Sequence, residues 1–338
     1  MENQETINPT PAEIPAIKKP KLNSELVQTK LALTAFILVA LTGIFSLWLV
    51  NLNSPQTPLR QKLTDLKSNN ATTTSLAVFP DQRLLARAAV VYDINNHKIL
   101  FAKNAETSLP LASLTKLMTA LVSAEQIPAQ TLVTVPNLGP GNNPASSSLI
   151  TGERWRLKDL IDFTLVSSSN EGARALALVA MSNNQNPDLT FVSVMNNRRQ
   201  TLGLPELRFY NETGLDENSS LAGAYGSALA VSKLNAYLVS KHPDLIEATR
   251  EAVIRPQTTD HATHLAVNTN QAINDLPGLL SSKTGYTLLA GGNLSIVFQA
   301  GLNRPIAITV LGSTQEGRFS DTNQLVWATL DYLAEEGK

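Results

Sequence analysis

The sequence of 338 residues contains no cysteine, and this absence excludes several kinds of chemistry. Disulfide bonds, thiol catalysis and cysteine-ligated metal sites all require that residue. Histidine is scarce as well, since the chain has only His97, His242, His261 and His264. His261 and His264 form the sequence HATH, which lacks the glutamate of the zinc-binding H-E-x-x-H motif. We therefore expect no metal site.

An excess of charge of either sign is also absent, because 27 basic and 28 acidic residues leave a net charge of −1. Nucleic-acid-binding proteins carry a concentration of basic residues, so we expect no nucleic-acid partner. Hydrophobic residues make up 43% of the chain, which is sufficient for one large globular domain or two small ones.

One long segment, residues 31–50, contains no charged residue. Its length in a helix matches the hydrocarbon core of a bilayer. Four lysines precede it (Lys18, Lys19, Lys21 and Lys30), and the next basic residue is Arg60. The positive-inside rule then predicts a single-pass signal anchor with a cytoplasmic N-terminus and the remaining chain outside the membrane. A cleaved signal peptide is the alternative, although the run is long for one and no small-x-small site follows.

The segments on either side of this apolar run are polar. Residues 1–30 contain several prolines and are predicted to be a disordered cytoplasmic tail. Residues 51–82 are rich in Asn, Thr, Ser, Gln and Pro, which is typical of a linker. We assign residues 83–338 to the globular domain.

Strand patterns occur at both ends of this domain. Residues 87–104, RAAVVYDINNHKILFAKN, alternate and turn at Asn95-Asn96, which predicts a β-hairpin. Residues 278–287, GLLSSKTGYT, resemble a strand, and residues 293–313 form a second predicted hairpin that turns at residues 301–304. The last predicted element is an amphipathic helix with Asp321 as its N-cap.

The middle of the domain, from about residue 113 to about residue 250, has apolar residues at helical spacing. Strands from both ends of the domain therefore flank a helical insert. This order predicts an α/β fold in which one sheet is formed by both ends and an all-helical lobe lies beside it.

The stretch LASLTKLMTA, residues 111–120, contains one lysine in an otherwise apolar helical pattern. Residues three apart are neighbours on a helix, so Lys116 can reach the hydroxyl of Ser113. Burial lowers a lysine pKa, and a neutral lysine can remove the proton of a serine nucleophile. The alternative is that Ser113 caps the helix and Lys116 extends to solvent. The motif alone does not distinguish these interpretations.

Two further motifs follow along the chain. Ser168, Ser169 and Asn170 lie between two helical runs, where they either cap the second helix or direct hydroxyl and amide groups into a cleft. Lys283, Thr284 and Gly285 lie at the end of a predicted strand. There, either Lys283 protects an edge strand from aggregation, or a second cation and a hydroxyl lie beside a substrate that approaches closely over the glycine.

The order S-x-x-K, S-x-N, K-T-G is the signature of serine penicillin-recognising enzymes. From about Arg87 to about Leu333, the chain resembles the low-molecular-mass D-alanyl-D-alanine carboxypeptidases, a family of penicillin-binding proteins. The segments that carry this resemblance are ARAAVVYD, SLTKLMTALV, SSSNEGARALA, RFYNETGLDENS, NTNQAINDLPGLLSSKTGYT and GGNLSIV. The resemblance implies a serine β-lactamase/transpeptidase-like fold, with an antiparallel sheet flanked by helices, and makes residues 83–338 the catalytic domain.

The resemblance also implies a role for each motif residue. Ser113 would attack the penultimate D-alanine of a peptidoglycan stem peptide, with Lys116 as general base. Ser168 and Lys283 would protonate the leaving D-alanine, and Asn170 would orient Lys116 and bind the substrate amide. The backbone N–H groups of Ser113 and Tyr286 would form the oxyanion hole. The implied substrate-binding residues are Lys283, Thr284, Gly285 and Arg318.

The implied partners are the stem peptide, β-lactams that acylate Ser113, and the bilayer through residues 31–50. No cofactor is implied. A class A β-lactamase differs in having Ser-Asp-Asn and a Glu-x-x-Asn element for deacylation. Here the residue three positions after Glu206 is Phe209 and not asparagine. The resemblance implies that this segment is a connector that leads to N-x-T-G-L. A D,D-endopeptidase that cuts cross-links and a non-turnover sensor of β-lactams or cell-wall peptides remain alternatives, since both use the same site.

Overall fold

The computed structural model describes residues 78–137, 149–182, 185–186 and 188–336. They belong to the second of two compact units, Ser75–Lys338. The predicted tail 1–30, the predicted anchor 31–50 and most of the predicted linker 51–82 lie outside the described residues. Within the described part of the chain, no helix is both long enough and apolar enough to cross a bilayer.

A five-stranded antiparallel sheet forms the centre of the domain. Its strands are β1 (Ala88–Asp93), β2 (Lys98–Lys103), β10 (Leu279–Thr287), β11 (Gly291–Gln299) and β12 (Pro305–Ser313). Their order across the sheet is β10-β11-β12-β1-β2. β1 pairs with β12 in the register that places Ala88 opposite Leu311. The two ends of the domain therefore meet in one sheet, as the sequence pattern predicts.

The turns of the two hairpins are joined by the buried carboxylate of Asp93. Its oxygens accept hydrogen bonds from the backbone and side-chain nitrogens of Asn96, at 3.1 and 2.9 Å, within the first turn. Arg304, from the second turn, donates through Nε to Asp93 at 3.0 Å. A buried carboxylate needs such partners, so this contact pins both hairpins at the same end of the sheet.

Most of the remaining elements lie between β2 and β10 in the sequence. The helices are α1 (Lys116–Gln126), α2 (Leu157–Val166), α3 (Asn170–Met181), α4 (Phe191–Thr201), α5 (Ala228–Lys241), α6 (Pro243–Ile246) and the C-terminal α7 (Gly317–Glu336). Short 3-10 turns cover Ala112–Thr115, Glu247–Arg250 and Ile273–Asp275. The short strands are β3 (Leu109–Pro110), β4 (Leu132–Thr134), β5 (Arg154–Arg156), β6 (Arg208–Phe209), β7 (Ala224–Gly226), β8 (Val253–Ile254) and β9 (Ala266–Val267).

The helical lobe is therefore not all-helical, because the β4–β5 and β6–β7 pairs lie within it. Each of these strands has two or three residues. A strand of that length is too short to leave an alternating pattern, which explains why the sequence did not predict it.

The central sheet is covered by α7 on one face and by α5 on the other. Alternate residues of β11 and β12 share a face, and those on the α7 side pack against Leu325 and Val326. On the α5 side, Asn235 accepts a hydrogen bond from Ser281 at 2.8 Å and donates to Ser295 at 3.1 Å. All three residues are buried, so these bonds hold β10 in a defined register against α5.

The predicted N-cap role of Asp321 is wrong. Helix α7 begins at Gly317, and the hydroxyl of Thr314 accepts the hydrogen bond from the Gly317 backbone nitrogen. Asp321 is buried inside the helix, where its carboxylate accepts hydrogen bonds from the backbone nitrogens of Leu85 and Ala86. These two backbone N–H groups precede β1, so the sheet offers them no carbonyl acceptor. The carboxylate of Asp321 supplies the hydrogen bonds instead.

We expect Asp321→Asn to lower the free energy of unfolding by about 2 kcal/mol. The amide removes the charge from hydrogen bonds of 3.0 and 2.8 Å to backbone donors and of 2.7 Å to the Ser313 hydroxyl. Urea denaturation measures the change. The matched control is Asp331→Asn on the exposed side of the same helix, for which we expect less than about 0.5 kcal/mol. Equal effects in the two variants would contradict the assigned role.

Candidate active site

Ser113 lies in the tight turn that precedes α1. The 3-10 turn Ala112–Thr115 leads directly into the helix, and Ala112 has a φ of +49°, a left-handed conformation that is unusual for alanine. The Thr115 hydroxyl donates to the Ala112 carbonyl at 2.7 Å and holds this turn closed. Ser113 makes no capping hydrogen bond to the helix, so the N-cap interpretation does not apply to it.

Lys116, the first residue of α1, is completely buried, which excludes extension to solvent. Its Nζ lies 2.9 Å from Ser113 Oγ, 2.8 Å from Asn170 Oδ1 and 2.8 Å from the Thr213 carbonyl oxygen. Burial lowers the pKa of Lys116 to about 7, and the negative charges of Glu212 and Glu171 oppose this shift. The amine is therefore partly neutral at physiological pH.

The three partners of Lys116 differ in what they can do. The carbonyl of Thr213 and the amide oxygen of Asn170 can only accept hydrogen bonds, whereas the Ser113 hydroxyl can also donate one. A neutral amine has two N–H groups and one lone pair. The two obligate acceptors take the N–H groups, so the lone pair is directed at the proton of Ser113. This arrangement is the one that a general base requires.

The Thr213 carbonyl was not predicted as part of the site. It is held by the segment Asn211-Glu212-Thr213-Gly214, in which Asn211 Oδ1 accepts from the backbone nitrogens of Thr213 and Gly214. Gly214 has a φ of +80°, and a Cβ there would lie 1.9 Å from the Ala112 carbonyl oxygen. The N-x-T-G motif, to which we assigned no role in the sequence analysis, was the available sequence signal.

The Ser-x-Asn motif covers the end of the loop between α2 and α3 and the first residue of α3. Ser169 caps α3 by accepting a hydrogen bond from the Gly172 nitrogen at 2.9 Å, so the capping interpretation applies to this residue. Ser168 and Asn170 are directed elsewhere. Ser168 has a φ of +59° and accepts from Lys283, while Asn170 accepts from Lys116. The loop therefore connects the two lysines of the site.

Lys283, on the edge strand β10, is buried rather than exposed, which is inconsistent with a role in protecting the edge. Its Nζ donates to Ser168 Oγ at 2.8 Å and to the Thr284 carbonyl at 3.0 Å. Burial and the positive charges of Lys116 and Arg318 hold the pKa of Lys283 well below its usual range. The three sequence motifs thus converge on one cleft.

Gly285 also satisfies a packing constraint within the protein, which the sequence analysis did not predict. A Cβ at this position would lie 2.8 Å from the Leu111 carbonyl oxygen and 3.1 Å from the Ser113 nitrogen. The close approach is therefore made by the turn that carries Ser113. It brings the Ser113 N–H alongside the part of β10 that carries Tyr286, the other predicted oxyanion-hole residue.

Arg318, from α7, lies behind the same strand. It is buried and donates through Nη1 to the Gly285 carbonyl at 2.9 Å, and its guanidinium carbon lies 4.6 Å from the centre of the Phe319 ring. Its Nε has no hydrogen-bond partner among the described residues. Burial lowers the pKa of Arg318. Its contact with Gly285 places this cation next to Thr284 and Tyr286.

The histidines of HATH lie apart from this cleft. Nε2 of His264 lies 3.0 Å from Glu153 Oε1, and its ring packs on Trp155 with centroids 4.7 Å apart. His261 is exposed. The histidine–glutamate contact joins the segment between β8 and β9 to the residue that precedes β5, which is a structural role.

We expect Gly285→Ala to slow acylation of Ser113 by a penicillin by at least about tenfold. The added methyl group must move either β10 or the Ser113 turn, and small displacements of reacting groups have large effects on rate. Stopped-flow kinetics with a labelled penicillin measures the change. Gly301→Ala is the matched control, since nothing lies within 4 Å of a Cβ at that position. An unchanged acylation rate in Gly285→Ala would show that the close approach has no importance.

Comparisons with known proteins agree with this geometry. The sequence profile of the peptidase S11 family, D-alanyl-D-alanine carboxypeptidase, matches residues 70–315. The D-alanyl-D-alanine carboxypeptidase DacF of Bacillus subtilis is 29% identical over 247 residues, which cover 71% of this chain and 61% of that protein. A D-alanyl-D-alanine endopeptidase of Pseudomonas aeruginosa is 27% identical over 249 residues, covering 72% of this chain and 77% of that protein.

The chain thus spans about three fifths of the length of DacF. A similar solved structure is penicillin-binding protein D2 from Listeria monocytogenes in the cefotaxime-bound form, with 27% identity and a TM-score of 0.62. The alignment covers 74% of this chain and 98% of the Listeria chain. These matches confirm the resemblance seen in the motifs. The chain belongs to the D-alanyl-D-alanine carboxypeptidase family, peptidase S11, and has the fold of penicillin-binding serine hydrolases.

Proposed function

We propose that this protein is a serine-type D-Ala-D-Ala carboxypeptidase that removes the terminal D-alanine from peptidoglycan stem peptides and is inhibited by β-lactams. The observation that carries the proposal is the environment of Lys116. Its buried amine has two obligate acceptors and a single partner with a removable proton, Ser113 Oγ at 2.9 Å. The family to which the chain belongs and the carboxypeptidase DacF support the same activity.

The first step forms the acyl-enzyme. Lys116 Nζ takes the proton of Ser113 as Oγ bonds to the carbonyl carbon of the penultimate D-alanine. The electron pair of the carbonyl moves to its oxygen, where the N–H groups of Ser113 and Tyr286 stabilise the charge. Donors of this kind are typically worth about 10²–10³ in rate.

The second step releases D-alanine. The C–N bond breaks, its electron pair stays on the leaving nitrogen, and the Ser168 hydroxyl supplies the proton. Lys283 Nζ, 2.8 Å from Ser168 Oγ, returns a proton to that hydroxyl. The proton that Lys116 took from Ser113 replaces the one given up by Lys283, so both amines return to their starting states. Water then attacks the ester, and Lys116 takes a proton from that water. The C–O bond to Ser113 breaks, Lys116 returns the proton to Ser113 Oγ, and the shortened peptide leaves.

The terminal carboxylate of the substrate is assigned to the β10 side of the cleft. Lys283, Thr284 and Arg318 supply cationic and hydroxyl donors there, and Gly285 keeps the strand close to Ser113. A carboxylate accepts several hydrogen bonds, and these are stronger when the donor is charged. Arg318 acts there through its charge, because its Nη1 is bonded to the Gly285 carbonyl and its Nε is buried.

A D,D-endopeptidase is the second candidate, because the endopeptidase of Pseudomonas aeruginosa aligns over 77% of its length, against 61% for DacF. Both reactions use the same acyl-enzyme, and they differ in whether the leaving group is free D-alanine or a cross-linked peptide. Digestion of purified muropeptide dimers distinguishes them. Conversion of dimers to monomers without loss of terminal D-alanine would favour the endopeptidase.

We further propose that the domain acts on the outer side of the bacterial cytoplasmic membrane, with residues 31–50 as a single-pass anchor. The support is the uncharged segment itself and the four lysines that precede it. Protease treatment of intact spheroplasts tests the orientation. Protection of the catalytic domain would contradict it.

Labelled penicillin followed by peptide mapping tests the proposed function. We expect the label on the peptide that contains Ser113, together with release of D-alanine from a diacetyl-Lys-D-Ala-D-Ala peptide. Lys116→Ala should slow acylation by at least about 100-fold, the contribution of a general base. Lys233→Ala, which removes an exposed lysine on α5, is the control and should acylate normally. Label on another peptide would refute the assignment of Ser113. Label without either D-alanine release or cleavage of muropeptide dimers would indicate a sensor.

The pH dependence of acylation tests the role of Lys116. Only the neutral amine acts as a base, so the rate should rise with pH through about 7 and level off above it. Glu171→Gln removes a negative charge that raises the pKa of Lys116, so the midpoint should move to lower pH. Glu206→Gln, on an exposed position of the same lobe, should leave the midpoint in place. A midpoint that is identical in all three proteins would contradict the assignment.

A further inference from the structure

The sequence Asn268-Thr269-Asn270, which the proposed mechanism does not use, lies beside the cleft. Asn268 anchors the start of this segment, because Nδ2 of its side chain donates to the carbonyls of Thr249 and Glu251 at 2.8 and 3.0 Å. Its Oδ1 accepts from the backbone nitrogen of Asn270 at 2.9 Å. The segment is thereby fixed to the 3-10 turn Glu247–Arg250.

Asn270 anchors the other end and is almost completely buried. Its Nδ2 donates to Ser282 Oγ on β10 at 2.9 Å, and its Oδ1 accepts from the Ala272 nitrogen at 3.1 Å. Ser282 directly precedes Lys283. The two asparagines therefore use their side chains to hold the backbone of the residue between them against the catalytic strand.

Thr269, the residue that they hold, contacts both sides of the cleft. Its backbone nitrogen donates to the carbonyl of Val166 at 3.3 Å, at the end of α2 and two residues before Ser168. Its hydroxyl oxygen lies 2.5 Å from the hydroxyl oxygen of Thr284. This distance is that of a short hydrogen bond between hydroxyl groups.

Only one of the two hydroxyls can donate in this contact. Neither Thr269 Oγ1 nor Thr284 Oγ1 has another hydrogen-bond partner among the described residues. If Thr269 donates, the proton of Thr284 is free to point at a ligand in the cleft. If Thr284 donates, that proton is used up inside the protein. A carboxylate can only accept hydrogen bonds, so it requires the first arrangement.

We propose that Thr269 is a positioning residue which donates its hydroxyl proton to Thr284 and so directs the Thr284 proton at the carboxylate of the ligand. The inference rests on the proposed function, because it takes the carboxylate of the substrate or β-lactam to lie at Thr284. Thr269 then acts through Thr284, and it selects ligands that carry a free carboxylate next to the scissile bond.

The test compares Thr269→Val with Thr269→Ser in the purified full-length protein. Valine keeps the shape of threonine and loses the hydroxyl, whereas serine keeps the hydroxyl. The measurement is the second-order rate constant for acylation of Ser113 by benzylpenicillin, which has a free carboxylate, and by its methyl ester, which does not. Thr263→Val is the matched control, since Thr263 is exposed on the connection that precedes β9 and its hydroxyl contacts Gln257.

We expect Thr269→Val to acylate with benzylpenicillin about tenfold more slowly, the ratio that corresponds to one ordinary hydrogen bond. The rate with the methyl ester should change less than about threefold, because an uncharged acceptor forms a weaker bond. Thr269→Ser and Thr263→Val should keep the wild-type preference for the acid. A merely structural role of Thr269 would slow both ligands equally, and that result would overturn the proposal.

An unchanged or faster rate with benzylpenicillin in Thr269→Val would also overturn it, because Thr284 would then be the donor in the resting protein. Acylation does not depend on release of D-alanine. If the protein labels at Ser113 but turns over no peptide, the carboxypeptidase proposal fails while the comparison of acid and ester still decides the role of Thr269. If Ser113 is not labelled at all, both proposals fail.

Discussion

The amine of Lys116 is removed completely from solvent, and the rest of the site depends on how that amine is satisfied. A buried lysine is costly to charge, and burial is the dominant cause of its lowered pKa. Its hydrogen-bond partners come from three parts of the chain, namely the Ser113 turn, the start of α3 and the Asn211–Gly214 segment. The position of each of these parts is therefore constrained by one nitrogen atom.

The second constraint is close packing of backbone around Ser113. Ala112 adopts a left-handed conformation, and Gly214 and Gly285 approach its turn so closely that a methyl group on either would collide with backbone atoms. Strain of this kind persists only where the surroundings enforce it, and it occurs often at functional sites. Here the enforcing elements are a loop of the helical lobe and the edge strand of the sheet, so the nucleophile is held between the two halves of the domain.

Several features could be predicted from the sequence because they are local or periodic. Alternation and turn residues identified the two hairpins and the strand of Lys283, and helical spacing placed Lys116 in a buried helix near Ser113. The order of three short motifs supplied the family resemblance and with it the pairing of Ser168, Asn170 and the lysines. The S-x-x-K motif alone would have left Ser113 and Lys116 undecided between a capped surface helix and a catalytic pair.

Other features were decided only by the tertiary structure. Asp321 has the residue type and position of an N-cap, but backbone donors 235 and 236 residues away determine its role. The carbonyl of Thr213 reaches Lys116 across 97 residues. The N-x-T-G motif marks this segment, but every residue has a carbonyl, so the sequence does not show which one meets the lysine. A side chain on Gly285 would collide with the Ser113 turn, a contact that the sequence does not show. A sequence pattern reports periodicity and residue chemistry, whereas these contacts depend on which surfaces meet when the chain is packed.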